Sequence, residues 1–126
     1  MVGIVVVSHS SDLARGVVEL AGQMGGPEVR IEPAGGTADG GLGTDEDLVR
    51  GAIKRANGGD GVVVLCDLGS AVLTARHVLE RGNGRVQLVD APLVEGAVAA
   101  AVVASAGVQL DDVARAAEDT RGANKL

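Results

Sequence analysis

Aromatic side chains are missing altogether: the 126 residues contain no Phe, Tyr or Trp. No ring is available to stack on a nucleobase, a flavin or a sugar, which weighs against flavodoxin-like flavin binding. Basic residues are outnumbered, 11 Lys and Arg against 17 Asp and Glu, for a net charge of -6. With a pI near 4.7 the chain has no positive footprint for nucleic acid or anionic lipid, so its partners are expected to be proteins or small molecules. A single cysteine, Cys66, excludes an intrachain disulfide. Its place in the apolar run Val62 to Cys66 marks a small buried residue rather than a nucleophile. No apolar stretch reaches membrane-spanning length and the apolar start is too short for a signal peptide, so a cytoplasmic protein is expected.

What is present suits one domain over 1–126, with a tail at 121–126 expected to fray. The 46% hydrophobic content is enough for one core, filled by Val, Leu and Ala. Ile4 to Val7 reads as a strand buried on both faces, and Ser8-His9-Ser10-Ser11-Asp12 follows it without a spacer. A helix is predicted from there, with Ser10 or Ser11 as N-cap and Leu13, Val17, Leu20 and Met24 along its apolar face. Glu28 to Glu32 alternates like an edge strand that Pro33 closes. Ala34 to Gly43 carries five glycines, either a slack connection or a backbone shaped to approach a ligand; composition favours the first. Thr44-Asp45-Glu46-Asp47 resembles a capping box for a helix carrying Leu48, Ala52, Ile53 and Ala56.

Val62 to Cys66 is the second doubly buried strand, and Asp67-Leu68-Gly69-Ser70 leaves its carboxyl end. The helix that follows, to about Arg81, includes His77 among Arg76, Glu80 and Arg81, a solvated face with no function expected of it. Arg85 to Val89 alternates like the first edge strand. The Ala- and Val-rich helix Leu93 to Ala106 is too apolar to face water, and a last helix starts at Leu110.

Four strands alternating with helices imply a three-layer α/β domain with an open parallel sheet. The two apolar strands belong inside and the two alternating ones outside, which gives the strand order 2-1-3-4. The winding reverses between the first and third strands. Their exits therefore bring His9 and Asp67 together at the switch point, where ligands are met. A carboxylate accepting Nδ1–H leaves Nε2 nucleophilic. Ser8, Ser10, Ser11, Gly69 and Ser70, with Gly43 of the glycine loop and Thr44 after it, surround the pair as an anion cradle. An imidazole nucleophile beside such a cradle suits a phosphoryl group. Neither G-x-G-x-x-G after the first strand, nor G-x-x-x-x-G-K-[ST], nor the acidic pair of a receiver domain is present. No zinc ligand cluster and no G-x-S-x-G elbow occur, so neither metal nor cofactor is expected.

Gly3-Ile4-Val5-Val6-Val7-Ser8-His9-Ser10, Gly41-Leu42-Gly43-Thr44, Asp67-Leu68-Gly69-Ser70-Ala71 and Ala91-Pro92-Leu93-Val94-Glu95-Gly96-Ala97 together resemble the DhaM family, phosphotransferase subunits of phosphoenolpyruvate-dependent dihydroxyacetone kinases. That family is similar in fold to the EIIA domains of mannose-type sugar phosphotransferase systems. The resemblance implies a phosphohistidine at His9, loaded by HPr and discharged to ADP on the DhaL subunit while DhaK holds dihydroxyacetone. It also implies a homodimer, which the apolar Leu93 helix supports. Some members carry additional HPr-like and Enzyme I-like domains; this chain ends before them, so separate HPr and Enzyme I are expected. A mannose-type EIIA is the alternative, although Leu68-Gly69-Ser70-Ala71 departs from the Gly-Gly-Ser-Pro turn typical there. A non-catalytic regulatory module on the same fold is a third reading, against which the retained His9 and Asp67 speak.

Overall fold

A computed structural model of the chain describes residues 1–82 and 84–126. Its sheet has four parallel strands: β1 (Gly3–Ser8), β2 (Ile31–Gly35), β3 (Val62–Cys66) and β4 (Val86–Leu88). They lie in the order β2-β1-β3-β4 expected from the burial patterns. Every residue of β1 and β3 is buried. Ile4, Val6, Val63 and Leu65 face one layer of helices, α1 (Ser11–Gly25), α4 (Leu93–Ala104) and α5 (Leu110–Asp119). Val5, Val7, Val62, Val64 and Cys66 face the other, α2 (Glu46–Ala56) and α3 (Gly69–Arg81). Two-residue alternation within strands that are apolar throughout thus feeds two cores, one on each side of the sheet. No helix among the described residues is long and apolar enough to cross a membrane. Beyond α5 a single 3-10 turn, Thr120–Gly122, follows. Arg121 Nη1 then bonds Asp90 at 3.2 Å, and Lys125 pairs with Glu95.

Several local expectations are corrected. Pro33 does not close β2 but lies inside it, opposite Val6. Ile4 N–H donates to the Arg30 carbonyl and Gly36 N–H to that of Ser8. The even-numbered residues of β2 therefore bond to β1, and the nitrogen of Pro33 points off the free edge, where no donor is needed. On α1 the buried residues are Ala14, Val17 and Ala21, whereas Leu13, Leu20 and Met24 are 44%, 44% and 57% exposed. Close packing causes this rotation: a Cβ on Gly25 would stand 2.8 Å from Ala101 Cβ, and one on Gly35 would stand 2.7 Å from Ala14 Cβ. Small residues let the helix sit deep, and the larger ones are turned outward. Helix α2 is capped by Asp45, whose Oδ1 accepts from the N–H groups of Asp47 and Leu48, and not by Thr44. Helix α4 buries Gly96, Ala97, Ala100, Ala101 and Ala104 within the chain, so its apolarity needs no second subunit to explain it.

The glycine-rich segment is not a slack connection. Gly43 N–H donates to the His9 carbonyl at 2.9 Å and Thr37 N–H to that of Gly41 at 3.0 Å. Gly36, Gly40 and Gly43 take the positive φ values of 71°, 88° and 133° that such a path demands.

Candidate functional site

At the carboxyl edge of the sheet, β1 ends in Ser8 and His9, and β3 ends in Cys66 and Asp67. Residues Val7 and Cys66 are paired in register, and Asp67 N–H reaches the Val7 carbonyl at 3.1 Å. The strands themselves bring the two exits side by side. His9 Nδ1 lies 2.9 Å from Asp67 Oδ1. The other carboxylate oxygen accepts from His9 N–H at 3.0 Å and from the Ser8 hydroxyl at 2.8 Å. Leu68 N–H adds a further bond to Oδ1 at 2.7 Å. Ser8 is wholly buried, and its Oγ in turn accepts from Ser10 N–H at 3.0 Å.

This surrounding decides the charge on Asp67. Burial pushes its carboxyl group up, but the donors on His9, Ser8 and Leu68 together outweigh that and hold it below its ordinary value. An ionised carboxylate can only accept, so in the neutral imidazole Nδ1 carries the hydrogen and Nε2 bears the lone pair. Nε2 is in hydrogen-bond contact with the Ser70 hydroxyl. The His9 side chain is 24% exposed and Asp67 12%, so the ring is held through Nδ1 by a largely buried carboxylate while part of it meets solvent.

The other residues expected of the anion cradle divide. Ser8, Ser70 and Gly69 stand with the pair, Gly69 and Ser70 as the first two residues of α3. Ser11 is the first residue of α1, and the Ser10 hydroxyl caps that helix through Leu13 N–H at 3.2 Å. Gly43 adjoins His9, but its N–H is spent on the His9 carbonyl. The Thr44 hydroxyl bonds that of Thr74 at 2.7 Å, and Thr74 Oγ1 donates to the Ser70 carbonyl at 3.2 Å. Thr74 was not among the expected residues, although its place four residues after Ser70 put it on the same face of α3. His77 lies one turn further along and pairs with Glu46 at the start of α2, away from His9.

Cys66 is buried among apolar side chains, and that burial, with the Asp67 charge next to it, pushes its thiol up to about 12. Such a thiol stays protonated and inert. A cleft of about 790 Å³ runs from Asp67 and Gly69 past Val72 and Arg76 to Leu88 and Asp90. Among the described residues no three His, Cys, Asp or Glu side chains gather as a metal site.

Comparison with known proteins identifies the family. The family model of the EIIA-man domain, described as the fructose IIA component of the phosphotransferase system, matches residues 3–114. Phosphoryl donor subunit DhaM of phosphoenolpyruvate-dependent dihydroxyacetone kinase 2 from Listeria innocua is 40% identical over 81% of this chain and 85% of its own length. Its Escherichia coli counterpart is 43% identical over 90% of this chain but only 25% of its own, longer sequence. A crystal structure of a protein of unknown function superposes with a TM-score of 0.86 at 32% identity, covering 100% of this chain and 99% of that one. The chain belongs to the EIIA-man family of phosphotransferase-system proteins and, within it, to the DhaM group.

Proposed function

We propose that the chain is the phosphoryl carrier of a phosphoenolpyruvate-dependent dihydroxyacetone kinase, with His9 as the residue that carries the phosphate. Phosphorylated HPr is the donor, ADP held by a DhaL subunit is the acceptor, and DhaK holds dihydroxyacetone; all act in the cytoplasm. The observation that supports it best is the His9–Asp67 contact of 2.9 Å, because it assigns the lone pair to Nε2, the nitrogen on the side away from Asp67. The printed description of the relatives as phosphoryl donor subunits fits the same role.

In the forward step Nε2 attacks phosphorus, the bond to the donor's nitrogen breaks, and Asp67 stabilises the positive charge that develops on the ring. Ser70 must release Nε2 for this, and its hydroxyl then turns to a phosphoryl oxygen. The N–H groups at the start of α3, next to Ser70, are further donors for that phosphoryl group. In the second step a terminal oxygen of ADP takes the phosphoryl group and Nε2 regains its lone pair. Catalysis by this subunit is a matter of position and of preorganised donors.

Incubation with phosphoenolpyruvate, Enzyme I and HPr should place one acid-labile, base-stable phosphate on the chain, absent from His9→Ala and retained by His77→Ala. The labelled protein should yield ATP on DhaL and should not phosphorylate dihydroxyacetone directly. Transfer to a mannose-type EIIB domain but not to DhaL would replace this reading with that of a sugar-system EIIA. Acid-stable label, or label that survives His9→Ala, would remove the phosphohistidine.

A further inference from the structure

Around His9 the side chains also form an arrangement that phosphoryl carriage does not require. The order Asp67 carboxylate, His9 imidazole, Ser70 hydroxyl is continuous, through the Nδ1–Oδ1 bond of 2.9 Å and the Nε2–Oγ contact. On unrelated folds this constellation makes serine an acyl-transfer nucleophile, and it is recognised by its contacts and not by chain order. For a carrier, the hydroxyl on Nε2 has to turn aside before the lone pair can attack phosphorus. For acyl transfer the same contact is the first requirement: it puts the base within reach of the proton it removes.

Ser70 has the remaining parts of such a site. It stands just beyond the carboxyl end of β3 as the second residue of α3, without the strained turn of a nucleophile elbow but exposed. The N–H groups of Gly69 and Ser70 have no acceptor inside the helix, and no side chain caps it. Being on the nucleophile's own residue and the one before it, they are the donors available to the oxygen of a carbonyl group attacked by Ser70. Gly69 lines the 790 Å³ cleft and Ser70 does not, so a small acyl group, which needs no long pocket, is the substrate that suits Ser70 best.

We propose that the unphosphorylated chain hydrolyses carboxylic esters of small acyl groups, with Ser70 as nucleophile, His9 as general base and Asp67 as the orienting acid. Ser70 Oγ bonds to the carbonyl carbon as its proton passes to Nε2. The bond to the alcohol oxygen breaks, and Nε2 returns the proton to that oxygen. Water then adds to the acyl carbon and gives a proton to Nε2; the bond to Oγ breaks, Ser70 recovers the proton, and the carboxylic acid leaves. Both uses of the site need the Nε2 lone pair, so phosphoryl carriage and ester hydrolysis exclude each other.

The test uses purified chain and p-nitrophenyl acetate, without any phosphotransferase component. Turnover with an acetyl group trapped on Ser70 is expected, together with covalent labelling of Ser70 by a fluorophosphonate. His9→Ala should lower both by about a hundredfold, the lower range for a positioned base, and Ser70→Ala should abolish the labelling. Acetyl found only on the His9 ring or on amino groups overturns the proposal, as does a wild-type chain that the fluorophosphonate leaves unlabelled. The wild-type labelling reads Ser70 without recourse to any variant. A negative result here leaves the carrier reading intact, whereas turnover in a chain that takes no phosphate from HPr removes the carrier reading alone.

Discussion

Asp67 is the residue on which most of the site depends, since its two oxygens receive His9 N–H, the His9 ring, the Ser8 hydroxyl and Leu68 N–H. These donors lower its native carboxyl value below the ordinary 3.8. A carboxylate whose native value is depressed contributes stability that is full above the unfolded value, about 3.9, and is lost as pH falls through the lower native one. The stability advantage of wild type over Asp67→Asn, followed by thermal unfolding, should therefore hold above about pH 5 and shrink below pH 4. An advantage undiminished at pH 2 would mean that these bonds do not favour the ionised form. His9 and Asp67 were legible in the sequence because each directly follows an unbroken apolar strand, and strand order then determines their meeting. The bond between the Thr44 and Thr74 hydroxyls was not, because it depends on the path by which the glycine loop reaches α3, which no local pattern encodes.

Among the elements, strands were easier to read than helix faces. β1 and β3 declare themselves by β-branched runs, whereas on α1 the large apolar residues misled: Leu13, Leu20 and Met24 point outward and Ala14, Val17 and Ala21 point in. Hydrophobicity marks which residues prefer burial, but the closeness of approach decided here, and it is set by glycines on the opposing elements. Gly35 is the clearest. A Cβ there would lie 2.7 Å from both Ala14 Cβ and the Ser10 carbonyl oxygen, and 2.8 Å from Ser11 Cα. Gly35→Ala should cost about 1–3 kcal/mol, the usual range for overpacking, measurable by urea denaturation. Since the atoms displaced belong to the residues just after His9, the variant should also take up phosphate more slowly. A variant as stable as wild type would show that α1 retreats freely from β2. Pro33 has the converse lesson: a residue read as a stop was accommodated because β2 is an edge.

For the whole molecule, the accessible surface of 6705 Å² compares with about 6200 Å² for a compact monomer of this mass. The excess is small, so one chain closes its own cores and a dimer must rest on a local feature. Helix α4 does not provide it in the way its composition suggests, because α1, α5 and the sheet cover its small residues. The turned-out stripe of α1 is the candidate: Leu13, Leu20 and Met24, with Val94 and Val102 of α4 at 39% and 43% exposure, leave apolar surface on that layer. A second copy seated there would bury it while the stripe runs away from His9 along α1, so both sites would stay open to partners. Sedimentation at micromolar concentration should show a homodimer. Leu20→Glu combined with Met24→Glu should yield a folded monomer, because both side chains lie outside the core, and that monomer should still accept phosphate on His9. A wild-type monomer would end the expectation of a dimer, and a dimer that survives both substitutions would move the interface elsewhere, with the free edge of β4 the next surface to test.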